Sequence, residues 1–122
     1  MTDRLNPGQI ALLITYAAGM AAGQLLFKAA ALRLGDSRPL PARALLLLQD
    51  APFIGAIVLY AALSVLWVWV LTFTPLSRAY PFVAVAFALT PLLGALVFAE
   101  PLSTRLLVGI AVIACGLVLV VG

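Results

Sequence analysis

The sequence predicts an all-α membrane protein with four crossings, a short interfacial helix between the first and second, and a third crossing kinked at Pro91. Three observations lead there. Only 9% of the 122 residues are charged and 66% are hydrophobic, with a mean hydropathy of +1.23. A soluble domain has roughly a quarter of its residues charged, so this chain has too few to clothe itself in water. Its apolar residues fall into four long runs, each close to the length of about 20 residues that crosses a hydrocarbon slab about 30 Å thick. Short stretches rich in proline, polar and basic residues separate the runs. The whole length, 1–122, reads as a single transmembrane domain without room for a soluble one.

The first crossing is expected from about Gln9 to Leu34, after a helix start at Pro7-Gly8. It is too long for a signal peptide, and no polar mature domain follows it. Gly19 and Gly23 have the small-xxx-small spacing that lets helix backbones approach closely in lipid. Gln24 and Lys28 are four residues apart and share a face. A glutamine in this half of the crossing must face protein or water, while Lys28 is close enough to the end to snorkel. Two readings stay open for the pair, a packing glutamine with an anchor lysine or two groups facing a ligand. Gly35 to Pro41 is a loop by its glycine, aspartate, serine and prolines. Ala42 to Gln49 is too short to span and reads as the interfacial helix. Asp50 is placed to cap the second crossing, with Pro52 in its first turn. That crossing runs to about Thr74, and Trp67 and Trp69 near its end suit an aromatic belt.

Pro75-Leu-Ser-Arg-Ala-Tyr-Pro-Phe82 crowds polar, aromatic and helix-breaking residues between two apolar runs. Ser77 is expected to cap a third crossing over about 78–99, with Pro81 in its first turn. Arg78 and Tyr80 in this turn are candidates for one wall of a substrate path. Pro91 removes a backbone hydrogen bond inside the helix and clashes with the preceding turn, which predicts a kink and a hinge. Glu100-Pro101 ends this helix, and Ser103 caps a fourth crossing over about 104–121. Arg105 in its first turn opposes the helix dipole, so a headgroup phosphate or Glu100 should balance it. Gly109 and Gly116 lie on one stripe, a packing surface within the chain or between chains.

The absences narrow function. No histidine is present, which excludes histidine proton relays and triads. One cysteine, Cys115, permits neither an intramolecular disulfide nor a cysteine metal cluster, and its apolar setting predicts a core residue. No metal site, cofactor site, nucleotide loop or nucleophile–base pair is legible, so an enzyme is not expected. The net charge of +3 comes mostly from arginines near helix ends, which anchor to headgroups and set topology rather than bind nucleic acid. Arg33, Arg38, Arg43 and Arg105 flank one side, against Arg4 and Arg78 on the other. The bias puts the first connection in the cytoplasm and both termini outside.

Four segments carry a resemblance. They are Gly23-Gln-Leu-Leu-Phe-Lys28, Pro75-Leu-Ser-Arg-Ala-Tyr-Pro81, the run from Thr90 to Glu100-Pro-Leu-Ser103, and Gly109 to Gly116. In order and spacing they resemble the drug/metabolite transporter superfamily, in its four-helix EamA-like and small-multidrug-resistance-like forms. Within it, the Gly-Gln-Leu…Lys signature, the Ala-Tyr-Pro turn and the Glu-Pro before the last helix are most similar to the subunits of the aminoarabinose-phosphoundecaprenol flippase. Small-multidrug-resistance exporters keep a proton- and cation-binding glutamate where this chain has Met20. The resemblance implies a bacterial inner-membrane protein moving an undecaprenyl-phosphate-linked sugar between leaflets, without a cofactor. It further implies an antiparallel pair of four-helix chains, homodimer or heterodimer, held by the fourth helix. Gln24, Lys28, Arg78, Tyr80 and Glu100 would then bind substrate, Gly19, Gly23, Gly109 and Gly116 would pack helices or dimerise, and Pro91 would hinge. The alternatives are export of small organic cations through Glu100, and a non-transporting protein that stabilises a partner enzyme.

Overall fold

The computed structural model describes residues 5–35 and 38–121. Arg4 of the charge count and Asp36-Ser37 of the first loop lie outside the described residues. The order is α1 (Pro7–Leu34), α2 (Leu40–Gln49), α3 (Ala51–Leu71), α4 (Leu76–Ala79), a 3-10 turn over Tyr80–Phe82, α5 (Val83–Phe98) and α6 (Thr104–Val121). Four segments are long and apolar enough to cross a membrane: α1, α3, the stretch Leu76–Phe98 and α6. The expected architecture is therefore present, with α2 as the short helix after the first crossing.

Helix α1 starts in a capping box. The Asn6 side chain accepts from the Gln9 N–H at 2.8 Å, and the Gln9 side chain accepts from the Asn6 N–H at 2.9 Å. Gln9 also donates to the Phe73 carbonyl at 3.1 Å and to Thr74 Oγ1 at 2.9 Å, satisfying the buried threonine and tying the start of α1 to the end of α3. At the far end Gly35 closes α1 with φ 67°, a conformation that favours glycine. At 1.5 Å per residue α1 is about 42 Å long, about 12 Å more than a hydrocarbon core. With Gln9 and the α3–α4 turn at one boundary, the last turns of α1 emerge at headgroup level on the other.

Helix α1 packs against α3 and α5, and α5 carries α6. Leu13, Ala17 and Ala21 are buried at four-residue spacing on α1, facing Ala56, Leu63 and Val70 at seven-residue spacing on α3. The glycine pair works here: a Cβ on Gly19 would sit 2.8 Å from Leu63, and one on Gly23 would sit 2.5 Å from the Tyr60 ring. Gly19 and Gly23 thus pack within the chain. Leu13, Val70, Ala79 and Phe82 form a core cluster near one end. Helix α6 buries no residue at all.

Two capping expectations hold and one does not. The Asp50 side chain accepts from the Phe53 N–H at 3.3 Å, and Ser103 Oγ accepts from the Leu106 N–H at 3.0 Å. Ser77 caps nothing. Pro75 is the residue before α4, where no side-chain cap forms, and Pro81 inside the following turn draws the backbone into a 3-10 geometry. The second crossing stops at Leu71 rather than Thr74. Thr72 Oγ1 bonds the Trp69 carbonyl at 2.6 Å, competing with the helix ladder, and Pro75 follows. Cys115 is exposed, not a core residue, because none of the described residues packs over its face of α6. Trp67 is half-buried and stacks on Tyr16 at 4.8 Å. Trp69 does lie exposed at the end of α3, edge-on to Phe73.

Candidate functional site

The site forms where α5 ends. Ala99 has φ 55°, ψ 34°, a left-handed residue that breaks the helix and folds Glu100 back beneath it. Gly94 makes the space, since a Cβ there would lie 2.8 Å from Glu100 Oε1. In this position Glu100 Oε2 lies 3.1 Å from Lys28 Nζ on α1, with the two side chains 44% and 43% exposed. The partner of Glu100 is therefore Lys28 and not Arg105. The reversal at Ala99 aims the carboxylate toward α1.

One turn along α1, the Gln24 amide donates to Tyr60 Oη at 2.8 Å, and that hydroxyl donates to the Met20 carbonyl at 2.9 Å. The Tyr60 ring lies on the bare backbone of Gly23 and stacks on Phe27, with centroids 5.4 Å apart and planes at 13°. Ring and hydroxyl together orient Gln24. Between α1 and α5 lies a cavity of about 360 Å³ whose polar lining is Gln24, Lys28, Thr90 and Glu100, with Pro91 and Gly94 among the rest. A second cavity of about 460 Å³, lined by Met20, Gln24, Phe87, Thr90 and Pro91 among others, meets it at Gln24, Thr90 and Pro91. The two form a groove open sideways along the helices, charged at one end and apolar towards the middle. Helix α5 continues through Pro91 on its wall; the proline has no N–H to offer the Phe87 carbonyl.

A family model describing EamA-like transporters matches residues 1–122. The chain belongs to that family. No match was found among curated proteins or among solved structures. EamA-like proteins are membrane transporters of the drug/metabolite type, and the four apolar helices make this one a multi-pass membrane protein.

In this EamA-like chain the residues singled out from sequence divide into two groups. Gln24, Lys28 and Glu100 share one cavity, and Pro91 lines it with them. Tyr80 and Arg78 are elsewhere. Tyr80 meets Trp67 edge-on at 6.3 Å, and Trp67 stacks on Tyr16. Tyr16 precedes Lys28 by twelve residues, about 18 Å along the helix. Arg78 Nη1 donates to the Val120 carbonyl at 3.1 Å, tying α4 to the end of α6. The Tyr80 turn thus sits near the opposite end of the bundle and is no wall of the Lys28 cavity. A Cβ on Gly109 or Gly116 would meet nothing within 4 Å. Among the described residues no cluster of metal-ligating side chains occurs. Tyr60 and Thr90 are the residues the sequence did not flag. The clue for Tyr60 was Gly23 beside Gln24, a flat surface next to an amide that needs a partner.

Proposed function

We propose that this EamA-like chain is a bacterial inner-membrane flippase or transporter subunit that moves an undecaprenyl-phosphate-linked sugar between leaflets by alternating access. One observation carries the reading: the half-exposed Lys28–Glu100 pair at the charged end of a groove open to the side. A polyprenyl tail is already soluble in the bilayer, so only its phosphate and sugar need shelter, and a lateral groove provides it. Lys28 supplies the cation for the phosphate, while Gln24 and Thr90 offer hydrogen bonds to sugar hydroxyls. Glu100 holds Lys28 in the empty groove and yields it when phosphate arrives. A solvent-accessible ion pair is worth only about 0–1 kcal/mol, so releasing Lys28 from Glu100 costs little and the exchange of partners is reversible.

The proposal gives α6, which buries nothing within the chain, to a second four-helix chain, identical or related, in an antiparallel pair. Protein reconstituted into vesicles with an undecaprenyl-phosphate-linked sugar should translocate it, and Lys28→Ala should not. Wild-type translocation by that variant would reject the role of Lys28. Export of small organic cations is the second reading, favoured by the half-exposed Glu100 carboxylate in the same groove. It requires cation-induced proton release from purified protein that disappears in Glu100→Gln.

A further inference from the structure

A second polar cavity lies at the other side of α1, where its last turns emerge. It measures about 230 Å³ and is lined by Ala30, Arg33, Leu34, Arg38, Leu46, Gln49 and Asp50. Lys28 and Glu100 take no part in it. Among the described residues its one carboxylate already has partners: Asp50 Oδ1 accepts from Arg33 Nε at 2.7 Å, and Oδ2 accepts from the Phe53 N–H at 3.3 Å. That bond fixes the Arg33 stem and leaves its two terminal nitrogens for another acceptor, on a side chain 66% exposed. Arg38 adds a second guanidinium and Gln49 an amide.

An independent feature of the adjoining helix points to the same class of ligand. Arg43 lies three residues before Leu46 on α2, so the two share one face of that helix. The Arg43 Nε is the one buried side-chain polar atom without a hydrogen-bond partner among the described residues. That atom is shielded by the chain, but the side chain as a whole is only half-buried, so its terminal nitrogens are within reach of an acceptor outside. Helix α2 itself exposes Leu40, Leu45 and Leu48, an apolar surface that suits the acyl boundary.

From this we infer that the α1–α2 end of the bundle is a binding site for the phosphodiester headgroup of an anionic membrane lipid. Arg33 and Arg38 grip the phosphate in the cavity, Arg43 donates from α2, and the leucines of α2 lie among the acyl chains. A membrane lipid is the occupant because the length of α1 puts the cavity at headgroup level and the exposed leucines of α2 adjoin it. The site is separate from the translocation groove and does not depend on the function proposed for it.

Native mass spectrometry of the purified full chain, titrated with phosphatidylglycerol or phosphatidylcholine, tests the assignment. Phosphatidylglycerol should be retained in preference. Each of Arg33→Gln, Arg38→Gln and Arg43→Gln should weaken it about fivefold, the effect of one basic residue at a membrane surface. Arg105→Gln, at the same end of the bundle, should leave it unchanged. Arg38→Gln and Arg43→Gln leave the Arg33–Asp50 bond intact, so their effect is separable from damage to the fold. Equal retention of the two lipids would overturn the site, as would undiminished binding in the Arg38→Gln/Arg43→Gln double variant, or equal weakening by Arg105→Gln. Occupancy by inorganic phosphate alone, at the affinity of the lipid, would overturn the lipid as its ligand.

Discussion

Gly23→Ala is the sharpest test of the packing that builds the groove. The new Cβ would stand 2.5 Å from Tyr60 Cε2 and 2.9 Å from Cζ, where ordinary contact begins at 3.4 Å. The ring must therefore retreat by about 0.9 Å, the difference between 3.4 and 2.5. Phe27 stacks on the same ring, which limits where it can go. A retreat along the hydroxyl axis would stretch the 2.8 Å bond from Gln24 and the 2.9 Å bond to Met20 beyond the useful range of about 3.2 Å. Overpacking costs about 1–3 kcal/mol, and hydrogen bonds in membrane bundles average about 0.6 kcal/mol each. Alanine returns about 0.5–1 kcal/mol over glycine in a helix. The net expectation is a destabilisation of about 1–3 kcal/mol, read from the unfolding midpoint in a denaturing-detergent titration. Gly109→Ala, whose Cβ meets nothing, should be neutral or stabilising in the same assay. Equal stability of the two variants would refute the account of Gly23 as a seat for Tyr60.

Asp50→Ala removes both the cap of α3 and the partner of Arg33, and should cost about 1–2 kcal/mol; Arg33→Ala, which leaves the cap, should cost less in the same titration. Lys28→Met should abolish translocation while changing stability by less than about 1 kcal/mol, since the pair it breaks is half-exposed; a large loss of stability would make Lys28 a structural residue. Arg78→Ala should release the end of α6 from α4, seen as faster amide exchange over residues 118–121, with the α1–α3 contact unaffected.

The crossings were legible because a bilayer imposes a length and a polarity on every span, and both can be counted in a sequence. Caps such as Asp50 and Ser103 were legible because they act on the next turn of their own helix. What stayed hidden was registration between helices. Lys28 and Glu100 stand at the ends of different runs, and only the left-handed Ala99 and the gap at Gly94 bring them together. No local pattern announces a left-handed alanine. The chemistry of Arg78 and Tyr80 suits the same ligand as Lys28, yet antiparallel crossings send the start of the third run to the other end of the bundle. Tyr60 stayed unnoticed because a tyrosine among apolar residues resembles a lipid-facing one until Gly23 is laid against it. The placement of Cys115 failed for a different reason: an apolar run reads the same whether protein or lipid covers it.

The eight residues from Pro91 to Phe98 make a rigid arm about 12 Å long, and the backbone of Glu100 follows at its tip. A bend of about 20° at the proline, the size that marks a sharp helix kink, would sweep that tip through about 4 Å. Even part of such a swing would lengthen the 3.1 Å contact between Lys28 and Glu100. A small angular change in mid-membrane is thereby converted into making or breaking one charged contact at the surface.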